Sequence, residues 1–261
     1  VDIETSDFKI LPSGRKQRAK RFKVGEKVKP EQAKLFLSGQ IDANDDLYKL
    51  LKKYIKHIDF VVNTSLIQLK NELLNKFNVA LYYQLINASE QQQIEQFGIF
   101  ILNQNRKIDV LVNNAGMFKP GKIADESPAQ FREMMAVNFD SACSLTKALL
   151  PQMKLAKSGH IINISSIAAI TAYPAGGAYA TAKTALLGYT RNLRAELKTD
   201  GIRVTAVLPG ATHTDSWAGS GLPETRLMPA EDVAKAVWAC IDLSERTVVE
   251  EILLRPQLGD I

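Results

Sequence analysis

The chain has 261 residues, 46% of them apolar, and a formal net charge of +5. That length suits one α/β domain with a sizeable core, and since no run approaches about 18 uncharged apolar residues, no membrane-spanning helix is expected. The charge is unevenly placed: residues 1–34 carry ten Lys/Arg against five Asp/Glu, and the remainder is balanced at 23 of each.

Residues 1–33 mix charges with little periodicity and read as a basic N-terminal arm, with Arg15-Lys16-Gln17-Arg18-Ala19-Lys20-Arg21 as its densest run. Such a run can meet phosphates, but no aromatic residues interleave it to stack bases. A solvated arm is the plainer reading, and nucleic acid is not expected as a partner. Val1-Asp2-Ile3-Glu4 lacks the basic-then-apolar pattern of a secretory leader. From residue 34 an alternating rhythm begins. Apolar runs at 34–37, 58–62 and 79–86 predict strands, and Leu47 to Ile55 and Leu66 to Phe77 repeat apolar residues at helical spacing. Ser89, with Gln92 three residues on, predicts a capped helix to about Asn103.

The carboxyl part continues the rhythm. Residues 108–112 predict a strand, and Ser127-Pro128 starts a helix in the favoured order of cap, then first-turn proline. A second helix follows to Met153, then a strand at 160–164, a long helix over 179–198 and a strand at 202–207 closed by Pro209-Gly210. A helix over 231–243 and a strand within 247–254 complete the order. Strands alternating with helices imply crossover connections and a parallel sheet, with ligands at the carboxyl ends of the strands. Cys143 and Cys240 lie in apolar helical segments without metal spacing, so both read as free buried thiols in a reducing, cytoplasmic compartment. His57, His160 and His213 show no ligand spacing, and no metal is implied.

Tyr179 and Lys183 are four residues apart and share one helix face. A phenol with a pKa of about 10 is a poor acid–base at neutral pH, and an adjacent ammonium is expected to lower it. Ser166 lies thirteen residues upstream, at the end of the predicted strand 160–164, where a hydroxyl can bond a substrate oxygen as charge develops. Asn113-Asn114-Ala115-Gly116 follows another strand; its small residues allow close approach to a flat ligand, and its amides can tie strand ends together. Asn138 places an amide inside the apolar run Met134-Met135-Ala136-Val137, which requires a partner for it.

These pieces, with Pro209-Gly210-x-x-x-Thr214, make residues 108–215 resemble the classical short-chain dehydrogenase/reductases, 3-oxoacyl reductase-like members in particular. The resemblance implies a Rossmann-like, doubly wound parallel sheet with helices on both faces, over 34–261. It implies an NAD(P)(H)-dependent oxidoreductase interconverting a carbonyl and a secondary alcohol by hydride transfer, with Tyr179 as general acid/base. Lys183 would lower the tyrosine pKa and hold the nicotinamide ribose, Ser166 would polarise the carbonyl, and Asn138 would hold a water in a proton relay. Asn113, Asn114, Ala115, Gly116, Pro209, Gly210, Thr212 and Thr214 would border the cofactor. Trp217, on a substrate lid, and Tyr173 would flank a modest-sized apolar carbonyl compound. A homodimer or homotetramer is implied, through helices near 129–155 and 178–198.

The amino part, 34–107, is atypical. The family opens with Thr-Gly-x-x-x-Gly-x-Gly, and the best register here is Ser38-Gly39-Gln40-Ile41-Asp42-Ala43-Asn44-Asp45, which keeps only Gly39. Asp42, Asp45 and Asp46 would set carboxylates near a pyrophosphate, which they repel. Asn87 stands where the family has an acidic residue near the adenine, and Asn63-Thr64-Ser65 offers no selector between NADP and NAD, with the lean to NADP. Three readings stay open: a remodelled loop that still binds dinucleotide, a cofactor-impaired pseudoenzyme or scaffold, or an amino part that is not the native partner of the rest.

Overall fold

The computed structural model describes residues 8–10, 16–18, 34–38, 57–61, 81–84 and 86–261, except 215, 216, 218 and 219. Two compact units are present, Val1–Gln32 and Ala33–Ile261. In the first, β1 (Phe8–Ile10) pairs antiparallel with β2 (Lys16–Arg18). The basic run therefore contains a strand that sequence periodicity did not reveal; three residues are too few for a period-two signal.

The second unit is built on β3 (Lys34–Ser38), β4 (His57–Val61), β5 (Leu81–Gln84), β6 (Val110–Asn113), β7 (Gly159–Ile164), β8 (Ile202–Pro209) and β9 (Glu251–Leu254). They form one parallel sheet in the order β5-β4-β3-β6-β7-β8-β9. The strand order reverses between β3 and β6, the switch point at which such sheets open a ligand crevice. Segment 34–107 thus supplies three strands in register with the rest, Ser38 standing opposite Asn113 at the carboxyl edge. The expected helices over 47–55 and 66–77, Gly39 and the turn around it lie outside the described residues.

The helices are α1 (Gln91–Leu102), α2 (Pro128–Met135), α3 (Ser141–Ala156), α4 (Gly177–Leu197) and α5 (Ala230–Asp242). Ile94, Phe97 and Ile101 of α1 and Leu145, Leu149 and Met153 of α3 bury one stripe against Leu111, Ile161 and Val204 of the sheet. Ser127 caps α2 in a full capping box with Gln130, Pro128 following in the first turn. The cap expected at Ser89 is not formed: the helix starts after Glu90, and the Ser89 hydroxyl donates to Asn87 Oδ1 at 2.8 Å. Residues 136–140 join α2 to α3 through a π-helical turn rather than a second cap. Cys240 is buried, Cys143 only half-buried, and both are free. Among the described residues no helix is long and apolar enough to cross a membrane.

Candidate active site

The carboxyl ends of β6, β7 and β8 open into a cleft of about 290 Å³, bordered by Asn114, Gly116, Ser166, Tyr179, Lys183 and Pro209 among others. β7 carries its chain out of the sheet at Ser165-Ser166. Ser166 turns into a short 3-10 turn, its Oγ accepting from Ala168 N–H at 3.1 Å. Ser165 Oγ donates to Lys183 O at 3.0 Å, fastening the end of β7 to α4. Tyr179 and Lys183 sit on the first two turns of α4 and both face the cleft.

Lys183 is 4% exposed. Its ammonium donates to Ile164 O at 2.9 Å and lies 5.7 Å from the Tyr179 ring centre. Burial, with no carboxylate to offset it, brings its pKa down to about 8. The Tyr179 phenol is pushed up, because burial disfavours the phenolate more than the hydrogen bond with Ser166 favours it. The net shift is upward because the desolvation of the site outweighs the interactions that favour the phenolate. At neutral pH the cleft therefore holds a protonated phenol, a proton donor.

Asn138 occupies the π-helical turn and is 1% exposed. Its Nδ2 donates to Met117 O at 2.9 Å and Met134 O at 3.1 Å, and its Oδ1 accepts from Met117 N–H at 3.2 Å. From this π turn the amide thus bridges its own helix, at Met134, and the strap after β6, at Met117. Gly116 lies against the same group; a Cβ there would stand 3.1 Å from Asn138 Oδ1 and 3.3 Å from Lys183 Nζ.

Other expected residues divide. Asn114, Gly210, Thr212 and Thr214 border the cleft, as do Tyr173 and Trp217. Thr212 pairs with Met228 in a β-bridge, and His213 N–H donates to Met228 O at 2.8 Å, closing the neck of the loop that bears Trp217. Ala115 is not among the cleft-lining residues, and neither is Asn113. Asn113 Nδ2 bonds Asn163 Oδ1 at 2.7 Å and Thr146 Oγ1 at 2.9 Å, an internal tie between strands. Asn87 is exposed on the turn after β5, its Oδ1 accepting from Ser89 N–H at 3.0 Å.

Several lining residues escaped the sequence reading. Phe118 sets its ring edge on Tyr179, centres 5.0 Å apart. The segment after β9 also reaches the cleft through Asp260 and Ile261. Arg226 donates to Gly259 O at 3.0 Å and Asp260 O at 2.9 Å, and Arg255 pairs with the Asp260 carboxylate. Only the aromatic following Asn113-Asn114-Ala115-Gly116-Met117 offered a sequence signal for any of these. Among the described residues no group of three or more His, Cys, Asp or Glu could hold a metal ion.

The short chain dehydrogenase family matches residues 48–224. The chain belongs to the short-chain dehydrogenase/reductases. It is 34% identical over 177 residues to a sepiapterin reductase of Chlorobaculum tepidum, an alignment covering 67% of this chain and 72% of that protein. An alcohol dehydrogenase from the archaeon Thermococcus sibiricus, complexed with 5-hydroxy-NADP, superposes with a TM-score of 0.78 at 22% identity, covering 87% of this chain and 99% of the other. A metagenomic short-chain oxidoreductase in complex with NADP superposes at 0.72 and 25% identity, covering 86% and 98%. Membership makes the protein an oxidoreductase of the NAD(P)-dependent short-chain type, acting on small molecules.

Proposed function

We propose that the chain interconverts a carbonyl compound and a secondary alcohol, with NADPH or NADH as hydride donor in the reducing direction. The observation that carries this is the convergence of Ser166, Tyr179 and Lys183 on one cleft at the carboxyl edge of the sheet. The donor set suits a nicotinamide nucleoside. A buried ammonium with one bond spent on Ile164 O can take ribose hydroxyls, and the bare Gly116 leaves room for a flat ring beside it. When bound, the nicotinamide supplies or accepts the hydride.

The chain's own residues would handle the proton. Ser166 Oγ, held at the 3-10 turn, donates to the substrate oxygen. Tyr179, kept as the phenol by burial, delivers its proton to that oxygen as charge develops. Lys183 anchors the nucleoside and stabilises the phenolate left behind. Asn138, which borders the cleft, spends its side-chain amide on Met117 and so fixes the strap beside the ring, and it would hold a water in the proton relay behind Tyr179. Tyr173, Phe118, Trp217 and Ile261 favour an apolar carbonyl substrate.

NADP is the favoured nucleotide, supported by the NADP-type ligands of the two superposing structures. A homodimer or homotetramer through residues 128–156 and α4 is the favoured assembly, and the two free cysteines favour a reducing, cytoplasmic setting. Residues 1–33 would form a separate basic segment, and 34–261 the catalytic domain. Fluorescence titration of the intact chain with NADPH and with NADH tests the reading. Saturable binding, tighter for NADPH, with nucleotide oxidation on addition of an apolar ketone is expected. A folded chain that binds neither nucleotide would overturn it in favour of a scaffold.

A further inference from the structure

We infer that Glu126 is a positioning residue for Tyr179, holding the start of the catalytic helix from the strap that follows β6. This rests on the reading of Tyr179 as the proton donor. The helix needs such a hold, because Ala175-Gly176-Gly177 offers no capping side chain and Gly176 makes no side-chain cap. The first N–H groups of a helix have no partner of their own. Here Ala178 N–H, immediately before Tyr179, donates to the Glu126 carboxylate, at 2.9 Å to Oε2 and 3.1 Å to Oε1. The partners are 52 residues apart. Among the described residues Glu126 has no basic side chain as partner, so the helix terminus is where its charge is met.

The surroundings are shaped to this carboxylate. A Cβ on Gly121 would lie 2.7 Å from Glu126 Oε1, and one on Gly177, whose φ is +34°, would overlap the same oxygen. Ala175 holds a left-handed φ of +60°, uncommon for a residue with a side chain, and its carbonyl accepts from Gly121 N–H at 3.0 Å. Phe118 on the same strap packs its edge against the Tyr179 ring. The strap is itself anchored, since Lys119 pairs with Glu133 at 2.8 Å and Ser127 starts α2 directly after Glu126. Three contacts from one strap thus meet the turn that carries Tyr179: a ring, a backbone N–H and a carboxylate. Movement of that turn by an ångström would spoil proton delivery more than nucleotide binding.

The test compares Glu126→Ala, Glu126→Gln and, as a control for simple loss of a nearby cap, Ser127→Ala. Two readouts are taken on the intact chain: hydrogen exchange of the 178–183 amides, and kcat and KM for reduction. Glu126→Ala is expected to speed exchange in that turn and to lower kcat about tenfold with little change in the KM for nucleotide. Glu126→Gln, which keeps one acceptor oxygen, should recover part of both, and Ser127→Ala should leave the 178–183 amides protected. Unchanged exchange in Glu126→Ala, or equal effects from Ser127→Ala, would overturn the inference. The exchange readout stands without turnover, so a wild-type chain that proves inactive refutes the proposed reaction and leaves the brace separately tested.

Discussion

Two polar clusters lie beside one another, the inner one on β6, β7, α3 and α4 and the outer one at the end of β7 and on α4, and they differ in what they leave open. In the inner cluster Asn113, Thr146, Asn163 and Thr190 are each no more than 3% exposed. Asn113 Nδ2 bonds Asn163 Oδ1 and Thr146 Oγ1, Asn163 Nδ2 donates to Thr190 Oγ1 at 2.8 Å, and Thr190 Oγ1 donates to Leu186 O at 2.6 Å. In the outer cluster Ser166, Tyr179 and Lys183 border the cleft, and burial works against the charged form of both titratable members. The inner cluster joins elements and has its partners inside the protein. The outer one keeps donors facing the cleft, at a cost in solvation, where a ligand can use them. Two neighbouring polar clusters therefore carry opposite roles, and bonding within the protein separates them.

The contrast predicts which substitutions cost activity and which cost stability. Lys183→Met should have the largest effect, lowering nucleotide-dependent reduction by about a thousandfold or more. Its unfolding free energy in urea should nevertheless stay within about 1 kcal/mol of wild type or rise, because a buried ammonium that no carboxylate offsets is removed. Asn163→Ala should do the reverse, losing about 3 kcal/mol in urea unfolding as partners on β6 and α4 are left unsatisfied, while turnover per folded molecule persists. If Lys183→Met unfolds the chain and Asn163→Ala does not, the assignment of the two clusters is reversed.

A pH profile sharpens the outer cluster. Lys183 carries its charge below about 8 and loses it above, while the upward shift of Tyr179 keeps the phenol protonated through the same range. For reduction, kcat/KM should be level near neutrality and fall as pH rises through about 8. A profile rising over that interval would contradict the sign. The smallest effect is expected from Gly116→Ala. Its Cβ would stand 3.1 Å from Asn138 Oδ1 and 3.3 Å from Lys183 Nζ, so both must yield slightly. A loss of about tenfold in kcat/KM, about 1.4 kcal/mol, with stability little changed is the expected result.

Much of this was legible in the sequence where the physics is local. The four-residue spacing of Tyr179 and Lys183, the cap at Ser127-Pro128 and Ser166 at a strand end each depend on a few neighbouring residues. The odd amide at Asn138 was visible as a demand for a partner, but the π turn and Met117 that meet the demand were not. Asn113 was grouped with the cofactor-bordering residues because its strand-end position is the same as theirs; only its bonds to Asn163 and Thr146 place it below the cleft. The upward push that burial gives the tyrosine is not legible in the sequence, which shows the spacing of an ammonium and carries no measure of desolvation. Ser89 looked like a cap, yet Asn87 captures its hydroxyl. Glu126 carried no signal and Phe118 only that of an aromatic after the Asn-Asn-Ala-Gly turn, since their partners lie 52 and 61 residues away and meet them only once the sheet is assembled.

The central claim is that the Tyr179 hydroxyl supplies the proton in a nicotinamide-dependent reduction. The most direct measurement is single-turnover oxidation of bound NADPH by an apolar ketone in wild type and in Tyr179→Phe, with nucleotide affinity measured on both. The account predicts equal affinity and a rate about a thousandfold lower in Tyr179→Phe. Equal rates in the two proteins would contradict it.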